Sequence, residues 1–430
     1  MKNFRVLWIP AVLIVMALAL WWWLSHETRT TSASTQDPAL AALLKDPAEI
    51  AKGHYLATAG DCVSCHTVQG GQPYAGGRIL PTPFGNIPAP NITPDPDTGL
   101  GDWSFEDFWR ALHIGVGRHG ELLYPAFSYT AFTKVTREDA LAIFAYLQSL
   151  PSVHQPSKPL GLSFPYNVRT GLTAWRALYF KPGVYAHDPA QSASWNRGAY
   201  LVQGLGHCNE CHATRGTWGG TDSKAQLSGG QIPALDWYAP DLSTAANGGL
   251  QGWSKQDIVD LLKNGQSSKG SAFGPMAEVV ASSTQYLHDD DLQAIAEYLQ
   301  SLPPRPKPLP DSSGFNSASL VASGQEIYAQ RCANCHGKDG RGVPDVYPPL
   351  DGNSSVMEPS GINATRAVLL GGFPAVTQGN LRPYSMPPFA QQLSDAEVAA
   401  VITYIRQAWS NHAGAVQERD VIKYRHTPID

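Results

Sequence analysis

The apolar positions of this chain fall into runs of two kinds. One is unbroken. After Lys2 and Arg5, residues 6–24 form a 19-residue, predominantly apolar stretch, about 28 Å long as a helix and close to the hydrocarbon thickness of a bilayer. A cleaved signal peptide carries a shorter apolar region followed by a small-x-small site. The run therefore predicts an uncleaved transmembrane anchor, with a signal peptide as the alternative. Trp21, Trp22 and Trp23 suit the far interface, and the cations before the run put the amino terminus inside.

The other kind has helical periodicity and recurs. "REDALAIFAYLQSLP", "DDDLQAIAEYLQSLP" and "LSDAEVAAVITYIRQAW" each begin with acidic residues, which suit the positive end of a helix dipole, and each carries a tyrosine (Tyr146, Tyr298, Tyr404) on the apolar face. Upstream of each lies a helix-like stretch with a glycine at one place, "AKGHYLATAGDCVSCH", "NRGAYLVQGLGHCNECH" and "ASGQEIYAQRCANCH", giving Gly53, Gly198 and Gly324. A small residue in the opening helix and an aromatic in the closing one predict a close crossing. The middle repeats as well: "DWSFEDFWRALHIG" matches "GWSKQDIVDLLKNG", with Gly115 over Gly265, and "RAVLLGG" is a looser third copy. Internal repetition explains this order better than three unrelated helical domains.

The repeat divides the chain. Residues 1–25 are the anchor or signal, 26–45 a linker, 46–151 the first domain and 152–190 an aromatic interdomain linker. Residues 191–303 are the second domain, 304–317 a Pro-rich extended linker, 318–412 the third domain and 413–430 a polar tail.

The cysteines bring in chemistry. All six lie in "CVSCH", "CNECH" and "CANCH", and none is left over for a disulfide. C-x-x-C-H is the c-type haem attachment pattern. Cys62 and Cys65, Cys208 and Cys211, and Cys332 and Cys335 can each hold one porphyrin by two thioethers. His66, His212 and His336 then meet the iron as proximal ligands. Zinc is the competing reading, but the pairs lie far apart, are odd in number, and zinc does not require a His after each second Cys. The pattern predicts three covalently bound c-type haems. "IPAPNIT", "WYAPDLS" and "VYPPLDG" each offer a proline-loop carbonyl to orient the proximal histidine.

A methionine opposite the histidine raises the potential and closes the iron to other ligands. Of five methionines, Met1 is the initiator and Met16 lies in the apolar run. Met276, 11 residues after Gly265, is assigned to the second domain, and Met386, in "SMPPF", to the third, with Met357 as its rival. The first domain has no methionine. Phe127, 12 residues after Gly115, stands where Met276 stands in the second. The sixth ligand there is expected to be His119, then His113, less readily His54, or the site is open.

Composition narrows the class. The chain has 430 residues, a net charge of −5, 16% charged residues, 40 glycines and 34 prolines, which indicates a folded, loop-rich protein with no basic patch for nucleic acid. No Gly-rich dinucleotide loop, nucleophile elbow or P-loop is present, so no catalytic acid or base is assigned.

Together "NITPDPDTGLGDWSFEDFWRALHIGV", "LYPAFSYTAFTKVTREDALAIFAYL", "WNRGAYLVQGLGHCNECH", "GPMAEVVASSTQYLHDDDLQAIAEYLQSLP" and "CANCHGKDGRGVPDVYPPLDGN" resemble the triple-haem cytochrome c subunits of membrane-bound bacterial dehydrogenases, the alcohol, gluconate and aldehyde dehydrogenase group. The resemblance covers essentially everything after the anchor. It implies an all-α fold of three tandem small cytochrome c domains with loop-rich connections, preceded by an N-terminal transmembrane helix. It matches Met276 and Met386 to axial methionines. Phe127 departs from the many relatives with Met there and puts the role of the first haem in question. The implied function is electron transfer from a periplasmic dehydrogenase catalytic subunit to ubiquinone or a terminal oxidase, at the periplasmic side of the cell inner membrane on a single N-terminal span. The rivals are a peroxidase-like enzyme using an open first haem, a haem subunit of a terminal oxidase, and a tethered shuttle without a fixed partner.

Overall fold

The computed structural model describes residues 38–221, 225–232, 234–243, 249–304 and 318–425. The helices of eight residues or more are α1 (Pro47–Ala59), α2 (Phe105–Ile114), α3 (Arg137–Ser149), α4 (Leu172–Tyr179), α5 (Ala193–Gln203), α6 (Lys255–Asn264), α7 (Pro275–Ser282), α8 (Asp289–Gln300), α9 (Ala318–Arg331), α10 (Ile362–Leu370), α11 (Asp395–Gln407) and α12 (Glu418–Arg425).

Local chemistry sets their ends. Ser104 and Ser254 accept from the N–H groups of Asp107 and Asp257, whose carboxylates reach back to the serine N–H, so α2 and α6 start on the same capping box. Both stop at a glycine in the left-handed region, Gly115 (φ 62°) and Gly265 (φ 74°), which no β-carbon obstructs. Ser394 and Glu397 start α11 in the same way.

The opening and closing helices of each unit cross at the glycines. A β-carbon on Gly53 would lie 1.8 Å from the carbonyl oxygen of Ala142, one on Gly198 1.9 Å from that of Ala294, and one on Gly324 2.1 Å from that of Ala400. Backbone meets backbone at all three crossings, and no side chain fits between. The first two units share one core, in which Leu56, Phe144, Leu201 and Leu292 belong to a single cluster, whereas the third has its own around Tyr328, Leu369 and Ile402.

The expectation of an all-α chain headed by a transmembrane helix is overturned. Short antiparallel sheets are present: β1 (Ile79–Thr82), β2 (Gly85–Pro88) and β3 (Gly161–Leu162) form one, β4 (Gly230–Ile232) and β5 (Trp237–Ala239) another, and β6 (Gln266–Ser267) and β7 (Gly270–Ser271) a third. Strands of two to four residues inside Pro/Gly-rich loops leave no periodicity to read. Among the described residues no helix is long and apolar enough to cross a membrane. The run 6–24, which carried that expectation, lies outside the described residues.

Two further segments are held by specific contacts. The linker after the first unit is pinned to it: Gly161–Leu162 pairs with β2, Arg169 donates to the Leu122 carbonyl (2.6 Å) and Arg176 to the Ile114 carbonyl (2.5 Å). The polar tail contains α12, which buries Val421 and Tyr424 on the third unit while Arg425 binds Asp395 (2.5 Å).

Candidate haem sites

Each C-x-x-C-H segment folds into one tight turn. The histidine N–H donates to the carbonyl of the first cysteine at 3.0 Å (His66 to Cys62), 2.9 Å (His212 to Cys208) and 3.0 Å (His336 to Cys332). That turn sets two thiols and an imidazole on one short stretch of backbone. In the first two units the residue before the motif takes the left-handed conformation, Asp61 at φ 49° and His207 at φ 35°, which turns the chain sharply out of the preceding helix.

The proline loops do what the sequence suggested. Nδ1 of His66 lies 2.8 Å from the Pro90 carbonyl, that of His212 2.7 Å from Pro240, and that of His336 3.1 Å from Pro348. With Nδ1–H donating there, Nε2 is left with a free lone pair, the tautomer a metal-bound imidazole needs. Burial lowers the pKa of all three imidazoles, which keeps them neutral. The strands have a purpose here: β2 ends two residues before Pro90 and β5 immediately before Pro240, so the sheets brace the accepting carbonyls.

The thiols are unpaired. Burial pushes Cys62 and Cys208 up to about 12, and Cys65, Cys211 and Cys332 to about 11. Such surroundings suit neutral thioethers and oppose the thiolates that zinc requires. Among the described residues, the cluster of three metal-ligating side chains within mutual reach is Asp95, Asp97 and His154, in none of the motifs. Asp95 is already engaged there by Thr98 (2.7 Å).

In the second unit the motif opens onto a cavity lined by Cys208, Cys211, His212, Leu261, Leu299 and Met276. Met276, near the start of α7, thus shares one apolar cavity with the histidine. Cys208, Cys211 and His212 would hold a flat apolar group in this cavity. Met386 packs against the third unit's core, fixed by a backbone bridge to Gly372 (2.9 and 3.1 Å). Met357 lies in a turn whose N–H donates to Asn353.

The first unit differs. Phe127 packs against the shared core, its ring 5.5 Å from Phe132. His119 is exposed on the turn between Gly117 and Glu121, its backbone N–H bound by Glu121 (3.0 Å). His113 stacks on Trp109 (4.6 Å), with Nδ1 at 3.2 Å from the Thr133 carbonyl. His54 is exposed beside Tyr146. His119 and His54 face solvent, while His113 is half-buried and, with Nδ1 on a carbonyl, has the same free Nε2 as the proximal histidines.

Sequence reasoning missed the contacts between units. The first two motif turns face each other, with Asp61 near His207 and Cys65 near Cys211. Ser282 of the second unit donates to Asp61 (2.7 Å), Arg78 pairs with Glu278, and Tyr55 donates to Asp291 (2.5 Å). On the other side, Asn363 of the third unit binds Tyr238 of the second twice, donating to its carbonyl (2.7 Å) and accepting from its N–H (2.9 Å). Arg366 covers the Trp237 ring at 4.5 Å. These partners are far apart in sequence, and no local pattern announces them.

Helix pairs closed on a glycine, each enclosing a C-x-x-C-H turn with its histidine on a proline carbonyl, define a c-type cytochrome. The Cytochrome c family matches residues 50–151, 196–303 and 321–409. The chain is 40% identical to the "Alcohol dehydrogenase (quinone), cytochrome c subunit" of Gluconobacter oxydans (strain 621H), over 89% of this chain and 83% of that one. It is 37% identical to the "Gluconate 2-dehydrogenase cytochrome c subunit" of Pantoea cypripedii, over 93% of each. With the "Fructose dehydrogenase cytochrome subunit" of Gluconobacter japonicus the figure is 34%, over 98% of this chain and 90% of the relative. The chain belongs to the family of dehydrogenase cytochrome c subunits, and covalently bound c-type haem is its cofactor.

Proposed function

We propose that this chain is the triple-haem electron-transfer subunit of a dehydrogenase complex. It takes electrons from a catalytic subunit outside the cytoplasmic membrane and delivers them to ubiquinone, with a terminal oxidase as the other acceptor. The carrying observation is the threefold recurrence of one geometry, a histidine held by Nδ1 on Pro90, Pro240 or Pro348 beside a pair of unpaired thiols. When bound, c-type haem supplies one-electron exchange at its iron. The chain's own residues supply the rest. The cysteines hold the ring, the proline carbonyls fix the imidazole tautomer, Met276 and Met386 are assigned to close the iron, and the apolar walls exclude water. The names of the relatives support a dehydrogenase partner. The run 6–24 supports residence at the periplasmic face of the inner membrane.

The test is purification from native membranes in mild detergent, followed by addition of alcohols, aldehydes and sugar acids. A co-purifying dehydrogenase whose substrate reduces the haems, with iron and haem both at three per chain, is the expected result. A lone cytochrome that no substrate reduces would overturn the reading.

A second reading follows from Phe127, which cannot ligate iron. The first unit is then a site open to small ligands, and carbon monoxide should bind one ferrous haem in three. Peroxide-dependent oxidation of a reduced donor by the isolated subunit would convert that open site into an activity. No spectral change with carbon monoxide would return the site to a histidine such as His119.

A further inference from the structure

A soluble surface seldom leaves large apolar side chains standing fully in water side by side. Here Phe164 is 80%, Leu178 75% and Trp218 61% exposed. They belong to one ridge, traceable through successive contacts. Phe84 meets Tyr166 at 4.5 Å and backs Gly219, and Tyr179 backs Gly220. Trp175 donates from its indole to the Trp218 carbonyl (2.9 Å). Helix α4 turns Leu172, Trp175 and Arg176 inward and leaves Leu178 outward.

The segment that forms most of this ridge carries charge of one sign. From 152 to 187 the chain carries Lys158, Arg169, Arg176 and Lys181 and no carboxylate, although the protein as a whole is at −5. Arg169 and Arg176 are bound by carbonyls and by the rings of Tyr124 and Phe180. Lys158 and Lys181 are exposed. Aromatic and aliphatic tips set among uncompensated cations match the headgroup layer of an anionic bilayer.

We infer that residues 158–184, with the turn at Trp218, form a docking face that lies on an anionic lipid surface. The inference rests on the reading that the chain is held at a membrane. It adds which side of the protein faces the lipid. The apolar tips enter the headgroup layer, and the lysines meet lipid phosphates.

The test uses the full-length, haem-loaded protein in vesicles of phosphatidylethanolamine and phosphatidylglycerol. Spin labels are placed at Phe164→Cys, Leu178→Cys, Trp218→Cys and, as control, the exposed Ile422→Cys on the third unit. The expected result is loss of broadening by a water-soluble nickel chelate at the first three sites and full broadening at the control. The double change Lys158→Glu, Lys181→Glu should restore broadening at Leu178→Cys. Protein that floats with the vesicles yet shows all four labels broadened overturns the docking face and leaves the anchoring reading intact. Protein that fails to float overturns both. Protection that appears only on adding the dehydrogenase overturns the lipid assignment and gives the ridge to a protein partner.

Discussion

The crossing at Gly198 makes a prediction whose sign tests the fold. Glycine inside a helix costs about 1 kcal/mol relative to alanine, so Gly198→Ala in a loosely packed α5 would stabilise the protein by that amount. In this structure the new β-carbon would sit 1.9 Å from the Ala294 carbonyl oxygen, against a practical minimum of 3.0 Å. The two helices must separate by at least 3.0 − 1.9 = 1.1 Å, and the atom in the way is backbone, which no rotamer change can remove. Separation opens the seam lined by Leu201, Leu292 and Ala296, each 2% exposed or less. Overpacking costs about 1–3 kcal/mol; with backbone as the obstacle the upper end of about 3 applies, which leaves a net loss of about 2 kcal/mol after the propensity gain. The assay is urea unfolding of the haem-loaded protein followed by haem absorbance. Since the first two units share a core, Gly53→Ala and Gly198→Ala should lower the same transition, while Gly324→Ala lowers a separate one. A midpoint for Gly198→Ala that is unchanged or raised would refute the close crossing.

Three other perturbations have defined outcomes. Burial pushes the Asp61 carboxyl up to about 6; a carboxyl raised in the folded state contributes stability at low pH that is lost as pH rises through about 6. Asp61→Asn should therefore flatten the pH dependence of urea midpoints between about 4 and 6 and raise stability at neutral pH by on the order of 2 kcal/mol. Asn363→Ala removes both bonds to Tyr238, a loss of about 1–3 kcal/mol. Hydrogen exchange should then quicken along α10 and Trp237–Ala239 and be unchanged in the first unit. Phe127→Met places a thioether where Met276 stands in the second unit. One haem potential should rise in a redox titration, and carbon monoxide binding at that haem should be lost.

What was legible in the sequence was legible because chemistry forces contiguity or because it recurred. Two thioethers and an axial ligand on one porphyrin demand C-x-x-C-H, so the motif turns could be read from spacing alone. The glycine crossing could be read because Gly53, Gly198 and Gly324 stand in the same relation to Tyr146, Tyr298 and Tyr404, and three coincidences make a rule. Pro90, Pro240 and Pro348 were readable for the same reason. The sheets were not, since β6 and β7 are two residues each and have no room to alternate. The helix α12 was hidden by its own polarity, as few of its side chains are buried. Asp61 and Ser282 are 221 residues apart, and what joins them is how two repeats pack, which no single repeat encodes.

That packing changes what a unit is. The cavity beneath His212 is walled by its own Leu261 and Leu299, and also by Asp61 from the first unit and Asn353 and Asn363 from the third. Excised, the second unit would open this cavity to water on two sides, and a wet haem pocket stabilises the charged ferric state and lowers the potential. The unit is therefore a repeat in sequence but not an independent site in chemistry. Its neighbours complete its walls, and Asn363, which grips the strand leading to Pro240, links the third unit to the carbonyl that orients His212. Fusion of the repeats in one chain follows from this arrangement, because the environment of the middle site is built only when all three are present.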